Sequence, residues 1–364
     1  MKKVAFVYDR VNKWGGAERL LLALHQIWPA APLYTAVYNP KTAPWAKNFI
    51  VIPSFLNKFP LAKGHHEAYP WLMPLVFESF DFSSYDLVIS VTSEAAKGII
   101  TTPKTLHICY CLTPTRYLWS GYEDYFTNRL QRWVSGPLVN YLRGWDKVAA
   151  QRPDYYLVIS ENVQKRISKY YGRESEVIYP PVDTQEWKME NGKWKIGGYF
   201  LIVSRLVTYK KIDIAIKAFN QLRLPLRIVG VGKDMGRLKR MAASNIEFLG
   251  QLTDQQLLVY YLNSLAVVFP QDEDFGIVPL EAQSCGRPVI AFRGGGALET
   301  VIENKTGLFF QPQTIGALIE AIKRFEKMKF DPVICRENAQ KFSQIIFKKN
   351  IKRIIEEKWQ NFRN

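Results

Sequence analysis

Residues 266–291 read AVVFPQDEDFGIVPLEAQSCGRPVIA, and the order of residue types along this stretch decides the fold. The run Ala266–Pro270 is short and apolar throughout, which suits a strand buried on both faces rather than one that alternates between core and water. A polar loop follows. Gly276 supplies a turn, and Pro279 is tolerated because it falls in the first turn of a helix that begins near Ile277. That helix stops near Gly286, and Pro288-Val289-Ile290-Ala291 forms the next strand. Strand, helix and strand of this kind make one parallel βαβ unit with its sheet covered by helices.

Working outward from it, the unit recurs. Tyr199–Val203 is a strand, Ile212–Leu222 a helix and Arg227–Gly230 another strand. Further toward the amino terminus come strand Val4–Tyr8, a helix over Ala17–Trp28, and strands Leu87–Ser90 and His107–Tyr110. Strand Tyr155–Ser160, helix Asn162–Tyr170 and Val177–Tyr179 then run into Pro180-Pro181. The polar stretch Thr184–Gly198 separates the two series, and its Asn191-Gly192-Lys193 and Gly197-Gly198 are turn signals, so the domain boundary is expected there. The predicted fold class is α/β, with two doubly wound parallel-sheet domains facing a cleft. Ligands of open parallel sheets lie beyond the carboxyl ends of the strands, so chemistry is sought in the loops that follow them. Arg336–Trp359 reads as one helical segment with a polar face.

Bulk properties fit this picture. A chain of 364 residues with 48% hydrophobic and 23% charged residues is ordinary globular protein, long enough for two domains and for cores that need no disulfides. Cys109, Cys111, Cys285 and Cys335 provide no metal-ligand spacing and are expected as reduced core thiols, which fits a cytosolic protein. The opening Met1-Lys2-Lys3 with its apolar run is too short for a signal peptide, because Asp9-Arg10 ends it. No stretch of about 18 apolar residues occurs, so no membrane-spanning helix is expected. The net charge of +16 favours anionic partners: nucleic acid, anionic lipid or phosphorylated substrates.

Three loops carry the candidate chemistry. Gly15-Gly16-Ala17-Glu18 lies between the first strand and its helix, where glycines let backbone approach a ligand and free helix amides favour an anion; a plain turn is the alternative. Ser204-Arg205-Leu206-Val207-Thr208-Tyr209-Lys210-Lys211 follows the first strand of the second domain. Arg205 as a planar fork and Lys210 as a point charge can converge on one anionic group, the alternative being a solvated basic loop. Glu273-Asp274-Phe275-Gly276-Ile277-Val278-Pro279-Leu280-Glu281 places one carboxylate above the sheet and another in the first turns of a helix. The amides of Gly276, Ile277 and Val278 point outward from the same helix start.

Together these loops resemble the retaining glycosyltransferases of family 4, enzymes with the two-domain GT-B fold. The matching pieces are Gly15-Gly16-Ala17-Glu18, Ser204-Arg205-Leu206 with Lys210, and the Glu-x7-Glu element from Glu273 to Glu281. Val229-Gly230-Val231-Gly232, Glu247-Phe248-Leu249-Gly250 and Asn304-Lys305-Thr306-Gly307-Leu308 match as well, and the likeness runs in order over nearly the whole chain. The resemblance implies an N-terminal acceptor-binding domain of residues 1–184 plus about 347–364, the final helix crossing back to it. It implies a nucleotide-sugar-binding domain of residues 185–346. Catalytic roles would fall to Glu273, Arg205 and Lys210: the two cations on the donor diphosphate in place of a metal, and Glu273 on the hydroxyls of the transferred sugar. Glu281 would bind the ribose and the loop after Gly250, with Leu252, the base. Gly15, Gly16, Gly232, Phe275, Gly276, Ile277 and Val278 would complete the donor site. No metal-ligand cluster is read from the sequence, and no cofactor is expected. Front-face attack in such enzymes needs no protein nucleophile.

Tyr110–Trp119 resembles the motif of a mannosyltransferase-like subgroup of surface-polysaccharide and O-antigen synthesis, which has His before Thr-Pro; here that position is Leu112. Neither His107 nor His65-His66, expected as surface-loop residues, fills the gap. Arg116 and Tyr117 are expected to contact the acceptor, a phosphate contact being the alternative. Aromatic and basic residues mix between Arg116 and Arg152, which suits an anionic membrane surface or single-stranded nucleic acid; solvated charge over core aromatics is the plain alternative. With the resemblance, the membrane is favoured and nucleic acid is not. The expectation is a metal-independent, retaining hexosyltransferase, peripheral on the inner face of the cell membrane. It would take a nucleotide-diphosphate sugar, GDP-mannose by analogy, and a lipid-linked saccharide acceptor. A sugar-nucleotide epimerase of similar shape, a transferase that binds donor without transfer, and a non-catalytic basic protein binding lipid or nucleic acid are the alternatives.

Overall fold

The computed structural model describes residues 2–126, 128–184 and 197–363. The turn signal at Asn191-Gly192-Lys193 lies outside the described residues. The chain divides into two compact units, Met1–Pro181 with Phe347–Asn364, and Val182–Ile346.

The first unit is built on strands β1 (Val4–Tyr8), β2 (Leu33–Thr35), β3 (Val51–Pro53), β4 (Leu87–Thr92), β5 (Leu106–Cys111), β6 (Tyr155–Val158) and β7 (Glu176–Val177). Its helices are α1 (Gly16–His25), α2 (Met73–Glu78), α3 (Tyr122–Tyr125), α4 (Arg129–Ala149) and α5 (Glu161–Tyr171). The sheet order is β3-β2-β1-β4-β5-β6-β7, every pair parallel. β1 and β4 pair from Val4↔Leu87 to Tyr8↔Val91, and every residue of both is buried, as continuous apolar strands with covered faces require. α1 ends at His25, short of the expected Trp28, although the amides of Gln26 and Trp28 still turn back onto Leu22 and Leu24. α5 starts where Ser160 accepts from the Val163 amide and stops at Gly172, whose φ of 63° lies in the left-handed region.

The second unit carries β8 (Tyr199–Val203), β9 (Leu226–Val229), β10 (Ile246–Gly250), β11 (Ser264–Phe269), β12 (Val289–Phe292) and β13 (Gly307–Phe310) in the parallel order β10-β9-β8-β11-β12-β13. Its helices are α6 (Ile212–Leu222), α7 (Met235–Met241), α8 (Asp254–Asn263), α9 (Ile277–Ser284), α10 (Ala297–Thr300), α11 (Ile315–Glu326) and α12 (Pro332–Gln340), before α13 (Gln344–Arg363) begins. Strand alternation sorts the core into two layers. Phe200, Ile202, Ala266, Val268 and Ile290 pack with Ile216, Phe219, Leu318 and Ile322 of α6 and α11. Leu201, Val267, Phe269, Val289 and Ala291 pack on the other face with Leu257 and Tyr261 of α8 and Ala282 of α9.

Two helices replace the single one expected over 336–359. Between α12 and α13 the chain is spent on tertiary contacts: Phe342 packs against Phe275, its carbonyl accepts from the Val182 amide, and Ser343 bridges to Val182. No Gly or Pro marks this break, so the sequence does not announce it. From Phe347 onward α13 belongs to the first unit, with Phe347 edge-on to Tyr110 of β5 and Lys358 paired with Glu176. All four cysteines are buried thiols. No described helix is long and apolar enough to cross a membrane.

Candidate active site

In the second sheet the strand order reverses at β8 and β11, which lie side by side. Chains leaving neighbouring strands at such a point turn to opposite sides and leave a crevice at the carboxyl ends. The loop after β8 holds Arg205 and Lys210, and the loop after β11 holds Glu273.

Packing fixes both loops. Gly230, at φ 129°, and Gly232 let the β9 loop lie against backbone: a Cβ on Gly230 would stand 1.9 Å from the Ser204 carbonyl oxygen, and one on Gly232 2.2 Å from that of Leu206. Thr208 Oγ1 donates to Asp234 at 2.8 Å, and Lys211 turns the chain into α6 with φ 55°. On the other side the Gly296 amide donates to the Glu273 carbonyl, and a Cβ on Gly295 (φ 52°) would reach within 2.1 Å of that same oxygen. The glycine run 294–296 was not singled out from the sequence, though three consecutive glycines after a strand are a signal of close backbone approach.

The result is a direct ion pair between Lys210 Nζ and Glu273 Oε1, with the lysine buried and the carboxylate partly so. Arg205 does not join it. Its side chain is exposed, and Nη2 donates to Tyr209 Oη at 2.6 Å within the same loop. Gly276, with φ 86°, opens α9, and no side chain caps that start among the described residues. Phe275 is buried behind it against Phe342, while Ile277 and Val278 are half-buried. Glu281, one turn further on, is buried and accepts from Tyr261 Oη of α8 at 2.8 Å, so the two carboxylates of the Glu-x7-Glu element hold different partners. Leu252 follows β10, half-buried against the core, just before Thr253 and Gln256 form the capping box of α8.

The first unit has the same construction at β1 and β4. Gly15 is extended and Gly16 starts α1; behind them Glu18 is buried, takes a 2.6 Å bond from Tyr8 Oη, and is pushed upward in pKa by burial against the lowering by Tyr8. Asp9 was read from sequence only as the end of a strand. It is fully buried and accepts from Thr92 Oγ1 and from the amides of Ser93, Glu94, Ala95 and Ala96 at 2.7–3.0 Å, which sets the loop after β4. Arg116 and Tyr117 are half-buried in the loop after β5; Tyr117 lies 6.2 Å from the Tyr125 ring. Leu112 is half-buried, its amide donating to Thr92. His66 is not a surface residue: it is 2% exposed, whereas its neighbour His65 is exposed. Among the described residues no three His, Cys, Asp or Glu side chains gather as a metal-ligand set.

Residues 183–342 match the family model described as "Glycosyl transferases group 1". The chain is 29% identical over 215 residues to the D-rhamnosyltransferase WbpZ of Pseudomonas aeruginosa, covering 56% of each chain. It is 30% identical over 200 residues to the GDP-mannose-dependent alpha-(1-6)-phosphatidylinositol monomannoside mannosyltransferase of Mycolicibacterium smegmatis, covering 46% of this chain and 52% of that one. The chain thus spans about half the length of the curated relatives it matches. Among solved structures, Anabaena HepE in complex with UDP superposes with a TM-score of 0.73 over 98% of this chain and 100% of that one, at 19% identity. The two parallel-sheet units and this likeness identify the fold as GT-B.

Proposed function

We propose that the protein is a retaining, metal-independent hexosyltransferase that moves mannose from GDP-mannose to a lipid-linked oligosaccharide at the inner face of the cell membrane. The observation that carries the reading is the Lys210–Glu273 pair at the strand-order reversal of the second sheet, inside the segment that matches the glycosyl transferases group 1 model. A fixed cation there opposes the charge that develops on a departing diphosphate, and preorganised groups of this kind supply much of an enzyme's rate enhancement. Glu273, beside it, accepts hydrogen bonds from the hydroxyls of the transferred sugar.

The remaining roles are those the family resemblance implies. Arg205, exposed and hydrogen-bonded to Tyr209, swings onto the diphosphate beside Lys210. The amides at Gly276, Ile277 and Val278 face the anionic donor at the start of α9. Glu281 binds the ribose, its geometry fixed by Tyr261. Gly232 and Leu252 line the base and phosphate side. In the first unit, residues 1–184 with 347–364, Gly15 and Gly16 are given a donor-binding role, and Arg116 and Tyr117 receive the acceptor. No side chain acts as nucleophile, the leaving phosphate oxygen taking the acceptor proton as the new glycosidic bond forms. The mannose and guanine choice follows the GDP-mannose dependence in the name of the mycobacterial relative, and the UDP of the HepE structure makes uracil the competing base.

α4 supports the membrane part. Leu130, Val134, Tyr141 and Val148 repeat at helical spacing on one exposed face, and Trp133 stands beside them with 79% of its surface exposed. Arg129 and Lys147 flank the stripe, and the only acid in the helix, Asp146, is buried in a pair with Lys97. Exposed rings and aliphatics on a helix whose one acid is buried match an anionic bilayer surface.

Calorimetric titration with GDP, UDP and ADP in excess chelator tests the reading. Selective binding of one nucleotide, lost in Arg205→Ala, is the expected result. Binding of none, or binding indifferent to Arg205 and Lys210, overturns it.

A further inference from the structure

We propose that Arg10, His66 and Glu94 form a saccharide subsite in the first unit that binds neighbouring hydroxyls of the acceptor sugar. The proposal rests on reading that unit as the acceptor domain. It concerns residues that neither the motifs nor the relatives assign.

The cluster stands where the order of the first sheet reverses. Arg10 follows β1, Glu94 follows β4, and His66 comes from the segment after β3. Arg10 Nη1 lies 3.0 Å from Glu94 Oε1, and His66 Nε2 lies 3.7 Å from Glu94 Oε2. Asp9 fixes the backbone at Glu94 through four amides, so the carboxylate is held in place rather than carried on a loose loop. The arrangement repeats that of Lys210 and Glu273 in the second sheet: a cation from the loop after the first strand meets a carboxylate from the loop after the strand beside it.

Several polar atoms here are buried and have no hydrogen-bond partner among the described residues: Arg10 Nε, Asn12 Oδ1 and His66 Nε2. Asn12 Nδ2, by contrast, is engaged, 3.1 Å from the Lys63 carbonyl and 3.5 Å from His66 Nδ1. Orphaned buried donors and acceptors are rare in folded proteins because each costs free energy. Three of them around one ion pair point to a ligand that supplies the missing bonds.

Charge decides the ligand class. The Arg10 guanidinium is balanced by Glu94, so a phosphate would meet a carboxylate and a metal ion a guanidinium. A neutral diol meets neither penalty: its hydroxyls donate to Glu94 and accept from Arg10 Nε–H, while His66 and Asn12 take the outer bonds. Burial raises the Glu94 carboxyl, but Arg10, His66 and Lys13 outweigh it and hold it at about 2. Such a carboxylate is a poor proton acceptor in neutral solution, which suits holding a hydroxyl rather than deprotonating it. Tyr117 shares the neighbourhood: its phenol is raised in pKa first by burial and next by Glu94.

The test is saturation-transfer NMR on the full chain with the methyl α-glycosides of mannose, glucose, galactose and N-acetylglucosamine, with inorganic phosphate as competitor. At least one glycoside should bind. Glu94→Gln and His66→Gln should each weaken it about tenfold or more, and equimolar phosphate should leave it bound. Thermal melts show whether each variant is folded; His66→Gln keeps the Arg10–Glu94 pair and reports even if Glu94→Gln unfolds. Binding of no glycoside, binding untouched by the folded variants, or displacement by phosphate overturns the subsite. The nucleotide titration is read separately. Glycoside binding through Glu94 without any nucleotide binding keeps the subsite and removes the transferase reading, and the reverse result removes only the subsite.

Discussion

Lys210 and Glu273 form an ion pair across the strand-order reversal of the second sheet, joining two side chains to which the resemblance to family 4 glycosyltransferases would give opposite ends of a donor, its diphosphate and its sugar. A nucleoside diphosphate that takes up Lys210 must therefore compete with Glu273. Glu273→Gln removes the competitor and leaves the cation. Affinity for the bare nucleoside diphosphate should hold or rise in this variant, while sugar transfer falls on the order of a hundredfold, the usual loss for one charged group at a reacting centre. Calorimetry with the nucleotide and a transfer assay read the two separately, and equal losses in both would contradict a sugar-facing Glu273. Lys210→Ala should weaken both.

Gly295 and Gly316 separate the glycines that shape the site from those that do not. Gly295 combines φ 52° with a virtual Cβ 2.1 Å from the Glu273 carbonyl oxygen, whereas nothing lies within 4 Å of a Cβ on Gly316 in α11. Gly295→Ala should destabilise by about 1–3 kcal/mol and displace Glu273, with loss of transfer. Gly316→Ala should gain up to about 1 kcal/mol from helix propensity and leave activity unchanged. Denaturant unfolding together with transfer rates checks both, and equal behaviour of the two variants would remove the packing role of the 294–296 turn.

Much of the architecture was legible because its strands are continuous apolar runs: Val4–Tyr8, Tyr199–Val203 and the helix Ile212–Leu222 fall where the pattern put them. The short strands β2 and β3 at one side of the first sheet, three residues each, gave no periodic signal. The break between α12 and α13 is made by tertiary contacts of Phe342 and Ser343, which no local rule reads. At the candidate site, Lys210 and Glu273 were legible as motif members, but their direct contact was not, since register alone brings the two loops together. Asp9, His66 and Glu94 carry no sign of a site in the sequence, His66 being expected on a surface loop, because isolated polar residues after strands look like ordinary loop residues. Their burial and convergence are properties of the folded chain.

His107 predicts a pH dependence of stability. Its imidazole is buried in β5 with Nε2 2.7 Å from Ser90 Oγ, and burial, followed by the Arg173 and Arg152 charges, lowers its pKa to about 3. An unfolded chain protonates this histidine near 6.5, the folded one only near 3. Between those values the unfolded state binds the extra proton, so the stability present above pH 6.5 is lost as pH falls, by about 1.4 kcal/mol per unit. Urea unfolding of the first unit at intervals from pH 7.5 to 5 should show that slope. His107→Gln should flatten it, because the other histidine shifted the same way, His25, is only partly buried. An unchanged slope in the variant would place the acid sensitivity elsewhere.

The exposed stripe of α4 predicts which residues would hold the chain at an anionic membrane surface. Trp133 and Leu130, 79% and 70% exposed, touch too little of their own fold for truncation to cost much stability. Trp133→Ala with Leu130→Ser should therefore melt like the parent yet lose about tenfold or more in binding to vesicles of mixed zwitterionic and anionic lipid. Arg129→Glu with Lys147→Glu should lose binding at low salt to a similar extent, and raising salt should erase the difference between this variant and the parent, since screening acts on the charges and not on the apolar face. Nucleotide binding in the second unit should stay as it is in all of these variants. Sedimentation with vesicles lacking and containing anionic lipid separates the two contributions. Equal binding by the parent and the tryptophan variant would take the membrane away from α4.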